Sequence, residues 1–252
     1  LYNISAERIQ VELVKMLTSA RPELLRDAYD LGITKIFLPE FDRLMVTEQE
    51  TPHHMYNVGE HTLHALQNVR ADKVLRLTML LHDMGKPALK TMDEAGVAHF
   101  KKHALESEII AKSILRRLKF DNNTIGKVTK LVRYHDYRMP ATAKNVRRAM
   151  NIIGEDLFPY YMEVRRADIL AQSMYQREEK VKNLNDIEKL YQEIVETGQC
   201  VSLKNLAVTG KDLIEAGMKP GKEIGDKLNE LLEMVIENPE LNEKNELLKK
   251  LK

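Results

Sequence analysis

VLRLTMLLHDMGKP, residues 74–87, decides the fold. An almost wholly apolar run leads straight into His82 and Asp83, and Gly85 and Pro87 then supply a stop. A helix committed to core contacts should not end by burying an imidazole and a carboxylate unless something there satisfies them. A metal ion would do so.

The rest of the chain sets the context for that ending. With 43% hydrophobic and 31% charged residues, the 252-residue chain has the make-up of an ordinary globular protein. Cys200 is the one cysteine, which excludes an internal disulfide framework and paired-cysteine metal sites and fits a reducing, cytoplasmic setting. No apolar run approaches the roughly twenty residues of a membrane span, and the opening LYNISAERIQ is polar rather than signal-like. The start at Leu1, with no initiator Met, is read as that of a piece trimmed from a longer protein.

A net charge of +1 conceals an uneven distribution: residues 101–150 hold 13 Lys and Arg against 4 Asp and Glu. Such a basic middle suits an anionic substrate or a phosphate backbone, or is simply a solvated helix face.

Helical punctuation recurs throughout, and no segment sustains the two-residue alternation of a sheet, so the fold class expected is all-α. Ser5 caps a helix with Ile9, Leu13, Val14 and Leu17 on one face, and Pro22 opens another that Gly32 closes. Further helices are expected over 58–69, 73–83, 104–118, 124–134, 146–153, 157–177 and 186–195, with short ones beyond. Texture changes near residues 50 and 200 divide the chain into 1–50, 51–200 and 201–252.

All eight histidines lie between 53 and 135. His61 falls on the 58–69 helix, His82 and Asp83 end the next, His103 starts another and His135 ends the one after it, while Asp168 lies in mid-helix in RRADILAQ. Five helices could thus aim imidazoles and carboxylates at a common centre, as helix bundles do around metals. Such donors suit manganese, iron, cobalt, nickel or zinc, with magnesium a further option, and Asp83 is placed to bridge two ions. Water on such an ion becomes a nucleophile near neutral pH, which points to phosphate-ester hydrolysis. Singly, each group has a plainer role. Asp168 can cap or pair with Arg165, Lys86 can sit at the surface, and His53, His54, His64 and His99 can be helix-terminal groups that orient a ligand or touch phosphate.

His61, the His82–Asp83 doublet and Asp168 together resemble the signature of the HD metal-dependent phosphohydrolase superfamily. The resemblance implies that these four hold one ion and that His103 and His135, sharing Asp83, hold another. It also implies catalytic roles for Asp83 and for Lys86, the lysine beside the phosphate. A narrower likeness covers nearly the whole chain: NISAERIQVELVKML, TPHHMYNVGEHTLHAL, HFKKHALES, RYHDYR and VTGKDLIEAGMKPGKEIGDKL resemble the C-terminal part of bacterial CCA-adding tRNA nucleotidyltransferases that carry an HD domain. Those enzymes hold their polymerising centre in an N-terminal head with an Asp-x-Asp pair, and no two aspartates here are separated by one residue. The resemblance therefore implies a neck segment, an HD domain and a tRNA-gripping tail, with the head absent.

The expected activity is metal-dependent hydrolysis of phosphomonoesters or 2′,3′-cyclic phosphates, on tRNA or nucleotides, within tRNA 3′-end processing and repair. Its rivals are a non-catalytic tRNA-binding module with a structural metal and a free-standing HD nucleotidase. RNA contacts are expected from Lys101, Lys102, Arg116, Arg117, Lys119, Arg133, Arg138, Arg147 and Arg148, meeting phosphates rather than reading bases. With five Phe, nine Tyr and no Trp, shape and charge should outweigh single-strand stacking.

Overall fold

Asp72 starts the central helix: its carboxylate accepts hydrogen bonds from the backbone amides of Val74 and Leu75. From Leu75 to Leu81 every side chain of this helix is buried, each large aliphatic one contributing about 1.5–3 kcal/mol. In the computed structural model, which describes residues 4–251, helices pack around it to give an all-α fold.

The helices are α1 (Ala6–Leu17), α2 (Leu25–Asp30), α3 (Thr34–Phe37), α4 (Pro39–Met45), α5 (Val58–Gln67), α6 (Lys73–Leu81), α7 (Lys86–Leu89), α8 (His103–Arg117), α9 (Asn122–Tyr134), α10 (Ala143–Ile153), α11 (Phe158–Ala171), α12 (Arg177–Glu196), α13 (Gly210–Glu215), α14 (Lys222–Glu237) and α15 (Lys244–Lys249). Among the described residues the sheet is a single two-stranded hairpin, β1 (Thr91–Met92) and β2 (Ala98–His99), antiparallel with Thr91 opposite His99. No described helix is long and apolar enough to cross a membrane.

Residues up to Arg138 together with Pro159–Leu184 form one compact unit, and Met139–Phe158 with Asn185 onward form another. In the first, Leu13 and Leu17 of α1, Phe41 and Leu44 of α4, and the apolar faces of α5, α6, α8 and α9 share one core with Val164, Ala167 and Ala171 of α11. Ser5, Asn57 and Asp121 cap α1, α5 and α9 with their side chains.

The second unit has its own core of Leu206, Val208, Leu213, Leu231, Leu232, Val235, Ile236 and Leu247. Its helix α13 starts with a full capping box between Thr209 and Asp212. Arg147, expected at an RNA surface, is buried here instead. Its guanidinium donates to the carbonyls of Ile236 and Glu237 and to Gln199 Oε1, which satisfies the open end of α14. Replacing it with Ala should therefore destabilise this unit by about 1.5–3 kcal/mol, the worth of hydrogen bonds to a charged group. Urea denaturation checks this, and RNA affinity of the folded variant should hardly change.

One helix runs differently from expectation. The continuous helix over 157–177 stops at Ala171 and a new one begins at Arg177, so the short 186–195 helix is the end of a 20-residue α12. The break has a cause in residues 52 and 53: the Ser173 amide donates to His53 O and its hydroxyl to Pro52 O, while Gln176 turns through φ 53°. Helices α3 and α4 and the hairpin are additions that the sequence pattern does not announce.

Candidate metal centre

α5, α6, α8, α9 and α11 each deliver one donor, or with His82 and its neighbour Asp83 a doublet, to a single buried cluster. His61 Nε2 lies 3.0 Å from Asp168 Oδ1 and 3.3 Å from His82 Nε2. His103 Nε2 lies 3.1 Å from His135 Nε2, and Asp83 Oδ1 is 3.4 and 3.5 Å from those two nitrogens. Asp83 Oδ2 turns the other way, 3.2 Å from His82 Nε2 and 3.8 Å from His61 Nε2. The donors fall into two sets, His61–His82–Asp168 and Asp83–His103–His135, with Asp83 facing both.

Which nitrogen carries the proton follows from the backbone. Nδ1 of His61, His82, His103 and His135 each faces a carbonyl, of Ala171, Met79, Phe100 and Val132, at 3.3, 2.7, 2.9 and 2.7 Å. A carbonyl only accepts, so each Nδ1–H donates and each neutral ring presents its Nε2 lone pair to the cluster. Two such lone pairs 3.1–3.3 Å apart repel unless a cation lies between them. Donors bound side by side on an ion at about 2.0–2.1 Å stand roughly 3 Å apart, the spacing seen here.

Electrostatics sharpen the point. Burial pushes the Asp83 carboxyl up, yet His82, Lys86 and the adjoining His135 ring outweigh it and hold the group well below the usual carboxylate range. Asp168 is held low in the same way, burial being outweighed first by the adjoining His61 ring. Burial lowers His103 to about 4 despite the pull of Asp83, so this ring carries no second proton at neutral pH. Burial also opposes charging of His82, but there the negative charge of Asp83 wins and the pKa moves up. The donor set fits one or two divalent ions. Its imidazole content suits manganese, iron, cobalt, nickel or zinc better than magnesium, which favours oxygen ligands.

Around the cluster lies a supporting ring. Lys86 is buried rather than at the surface. Its ammonium is 2.7 Å from Asp83 Oδ2, donates to Gln49 Oε1 at 2.7 Å and stands 5.4 Å from the Phe100 ring centroid. Asp168 Oδ2 accepts from Gln172 Nε2 at 3.1 Å and from Arg165 Nη1 at 3.4 Å, and Gln172 Oε1 in turn accepts from Lys180, which also meets His53. Gln49 reaches Lys86 and Lys180 reaches His53 from distant parts of the chain, whereas Gln172 stands one helical turn after Asp168, a spacing that could have marked it. A pocket of about 310 Å³ opens over the cluster, with Lys86, Lys101, Lys102, Arg138 and Lys180 among its walls.

The cations expected to meet RNA divide into two kinds. Arg117 is forked onto Glu40, Arg133 pairs with Glu108, Arg138 with Asp136, and Arg148 with Glu233 and Glu237. Lys101, Lys102, Arg116 and Lys119 are exposed and have no carboxylate partner among the described residues.

A family model described as tRNA nucleotidyltransferase domain 2 matches residues 93–251. The chain belongs to the tRNA nucleotidyltransferase family. A second family model, described as a probable RNA and SrmB-binding site of polymerase A, matches residues 1–45. Over 235 residues the chain is 31% identical to the CC-adding tRNA nucleotidyltransferase of Thermus thermophilus, covering 90% of this chain and 52% of that protein. It is 32% identical over 170 residues to the A-adding tRNA nucleotidyltransferase of Deinococcus radiodurans, covering 64% and 38%. Likeness extends to the multifunctional CCA protein of Actinobacillus pleuropneumoniae, at 26% over 146 residues, 54% of this chain and 35% of that protein. The chain thus spans about half the length or less of these relatives.

These tRNA nucleotidyltransferase relatives correct the expected activity. They are named for adding nucleotides to tRNA, and the expectation of a phosphohydrolase, whether part of a larger enzyme or free-standing, is overturned by them. The link to tRNA stands; the hydrolytic assignment does not.

Proposed function

We propose that this chain is the tRNA-holding part of a tRNA nucleotidyltransferase, and that the imidazole–carboxylate cluster holds one or two divalent ions as a clasp. The family match across residues 93–251 carries this reading. The nucleotide-adding step itself falls to residues outside this sequence, which has no Asp-x-Asp pair.

Within the clasp His61, His82, Asp83 and Asp168 take one ion and His103, His135 and Asp83 the other. The bound ion supplies positive charge that fixes five helices from distant parts of the chain. Asp83 joins the two ligand sets, Lys86 offsets its charge, and Arg165 with Gln172 orients Asp168. The clasp sets the angle between α8 and α9 and so the placement of Lys101, Lys102, Arg116 and Lys119, which meet tRNA phosphates. Cysteine usage fits a cytoplasmic setting for this work.

Fluorescence anisotropy with labelled tRNA at several salt concentrations tests the proposal. Affinity should fall as salt rises, with a log–log slope of roughly −3 if four phosphates are neutralised. Changing Lys101, Lys102, Arg116 and Lys119 together to Ala should remove most of that slope while the helical circular dichroism stays as in the parent. Absence of binding at low salt, or an unchanged slope in the quadruple variant, rejects the reading.

A further inference from the structure

Where the start of α8 passes the end of α9, a groove of about 320 Å³ lies open between Lys102, Leu105, Arg133, Tyr134 and Tyr137. That volume is at the lower end for small-molecule sites and accommodates one nucleotide unit. Tyr134 and Tyr137 stand edge to face with ring centroids 6.2 Å apart, and the Arg133 guanidinium lies 5.8 Å from the Tyr134 centroid. Leu105 adds an exposed apolar wall.

Charge decides what the groove takes. Arg133 is engaged by Glu108, and Asp136, which also borders the groove, is engaged by Arg138 and Arg165. Lys102 has no carboxylate partner among the described residues and stands beside two aromatic rings. Lys102, His103 and Asp136 line both this groove and the pocket over the metal cluster, so the two openings adjoin.

From the groove a single exposed face of α8 continues outward through Leu105, Ile109, Lys112 and Arg116, spaced at helical intervals of four, three and four. A second copy of the chain does not suit this face. Antiparallel pairing of two α8 helices about the Leu105–Ile109 region would set Lys102 of one against Lys112 of the other. A polyanionic strand suits it, because Lys112 and Arg116 have no carboxylate partner among the described residues and can follow phosphates beyond the groove.

We infer that this groove is a nucleobase subsite for an unpaired nucleotide of an RNA strand, the base held by Tyr134 and Tyr137 and the phosphate by Lys102. The inference rests on the tRNA reading above and adds to it a place for a single-stranded end beside the metal pocket. Stacking of this kind tolerates any base, since every base has a π-face.

The test compares two labelled RNA hairpins, one blunt and one with a short unpaired 3′ extension, binding to the complete 252-residue chain. The extension should tighten binding by roughly ten-fold. Tyr134→Leu and Tyr137→Leu should reduce that gain to less than about two-fold with blunt-hairpin affinity unchanged, while Tyr134→Phe, which keeps the ring, should preserve it. Equal binding of the two hairpins by the parent protein overturns the subsite, as does a full gain in both Leu variants or its loss in Tyr134→Phe. A free 5′-mononucleotide that binds in a Tyr134-dependent way, with no gain from the extension, overturns the assignment to a strand. Failure of the parent protein to bind either hairpin overturns the tRNA reading and this subsite with it.

Discussion

Asp83→Ala is expected to strip the cluster of metal and to lower the melting temperature by roughly 10 °C. Asp83 faces both ligand sets with its two oxygens: Oδ1 faces His103 and His135, and Oδ2 faces His82 and His61. Its loss also leaves the buried Lys86 ammonium with Gln49 and no carboxylate. Breaking a buried charge pair from one side costs about 3–5 kcal/mol, and each kcal/mol corresponds to about 2–4 °C in a domain of 150–250 residues. The bound ion adds a separate contribution, about 2.7 kcal/mol at a hundred times its dissociation constant.

The two contributions separate cleanly. Parent protein loaded with manganese or zinc should carry one or two ions per chain by elemental analysis and should melt lower when a chelator is added. Asp83→Ala should carry none and be indifferent to the chelator. Asp83→Asn, of nearly the same shape, should also lose metal yet melt above Asp83→Ala, because the amide oxygen still accepts from Lys86. A parent melting temperature that ignores the chelator, or an Asp83→Ala variant with full metal content, would sink the clasp.

What the sequence makes legible here is whatever is local or carries its own punctuation. Ser5 caps α1 as its place just ahead of an apolar-periodic stretch leads one to expect. The ligand candidates could be picked out because imidazole and carboxylate at the ends of apolar helices need partners. The structure brings all six together.

Illegible features depend on contacts between distant segments. The 157–177 stretch has helical character throughout, and it breaks where Ser173 is drawn to Pro52 and His53. Arg147 reads as a surface cation in a basic run; that it caps α14 some ninety residues later is invisible until the second unit folds. The same holds for the choice between free and paired cations, since Glu40 and Glu108, far along the chain, silence Arg117 and Arg133 at the surface of the first unit. Activity was least legible of all. Donors that suit hydrolysis are equally able to clasp a scaffold, and the relatives, not the ligands, decide against hydrolysis.

Gly85→Ala and Gly126→Ala should move stability in opposite directions, although they are the same change in the same helical unit. Gly85 has φ −83° and ψ −15°, which alanine adopts freely, so its requirement for glycine is one of space. A Cβ there would lie 2.5 Å from His103 O, 2.7 Å from Ser107 N and 2.8 Å from Glu106 Cβ. Those atoms belong to the first turns of α8 and cannot rotate away, so α8 itself must shift, straining the bond from Gly85 N to Ser107 Oγ. The shift carries His103 off Asp83 and His135, and overpacking of this kind costs about 1–3 kcal/mol, occasionally more. Metal affinity should fall with it, by roughly the 10–100-fold typical of disturbed supporting contacts. At Gly126, in the body of α9, a Cβ meets nothing within 4 Å. Alanine there removes backbone freedom from the unfolded chain and should stabilise by about 0.5–1 kcal/mol, with metal affinity untouched. Urea denaturation and metal titration of both variants decide the matter: a Gly85→Ala protein with parental stability and affinity would mean that α8 is not held against the His82–Asp83 turn as described.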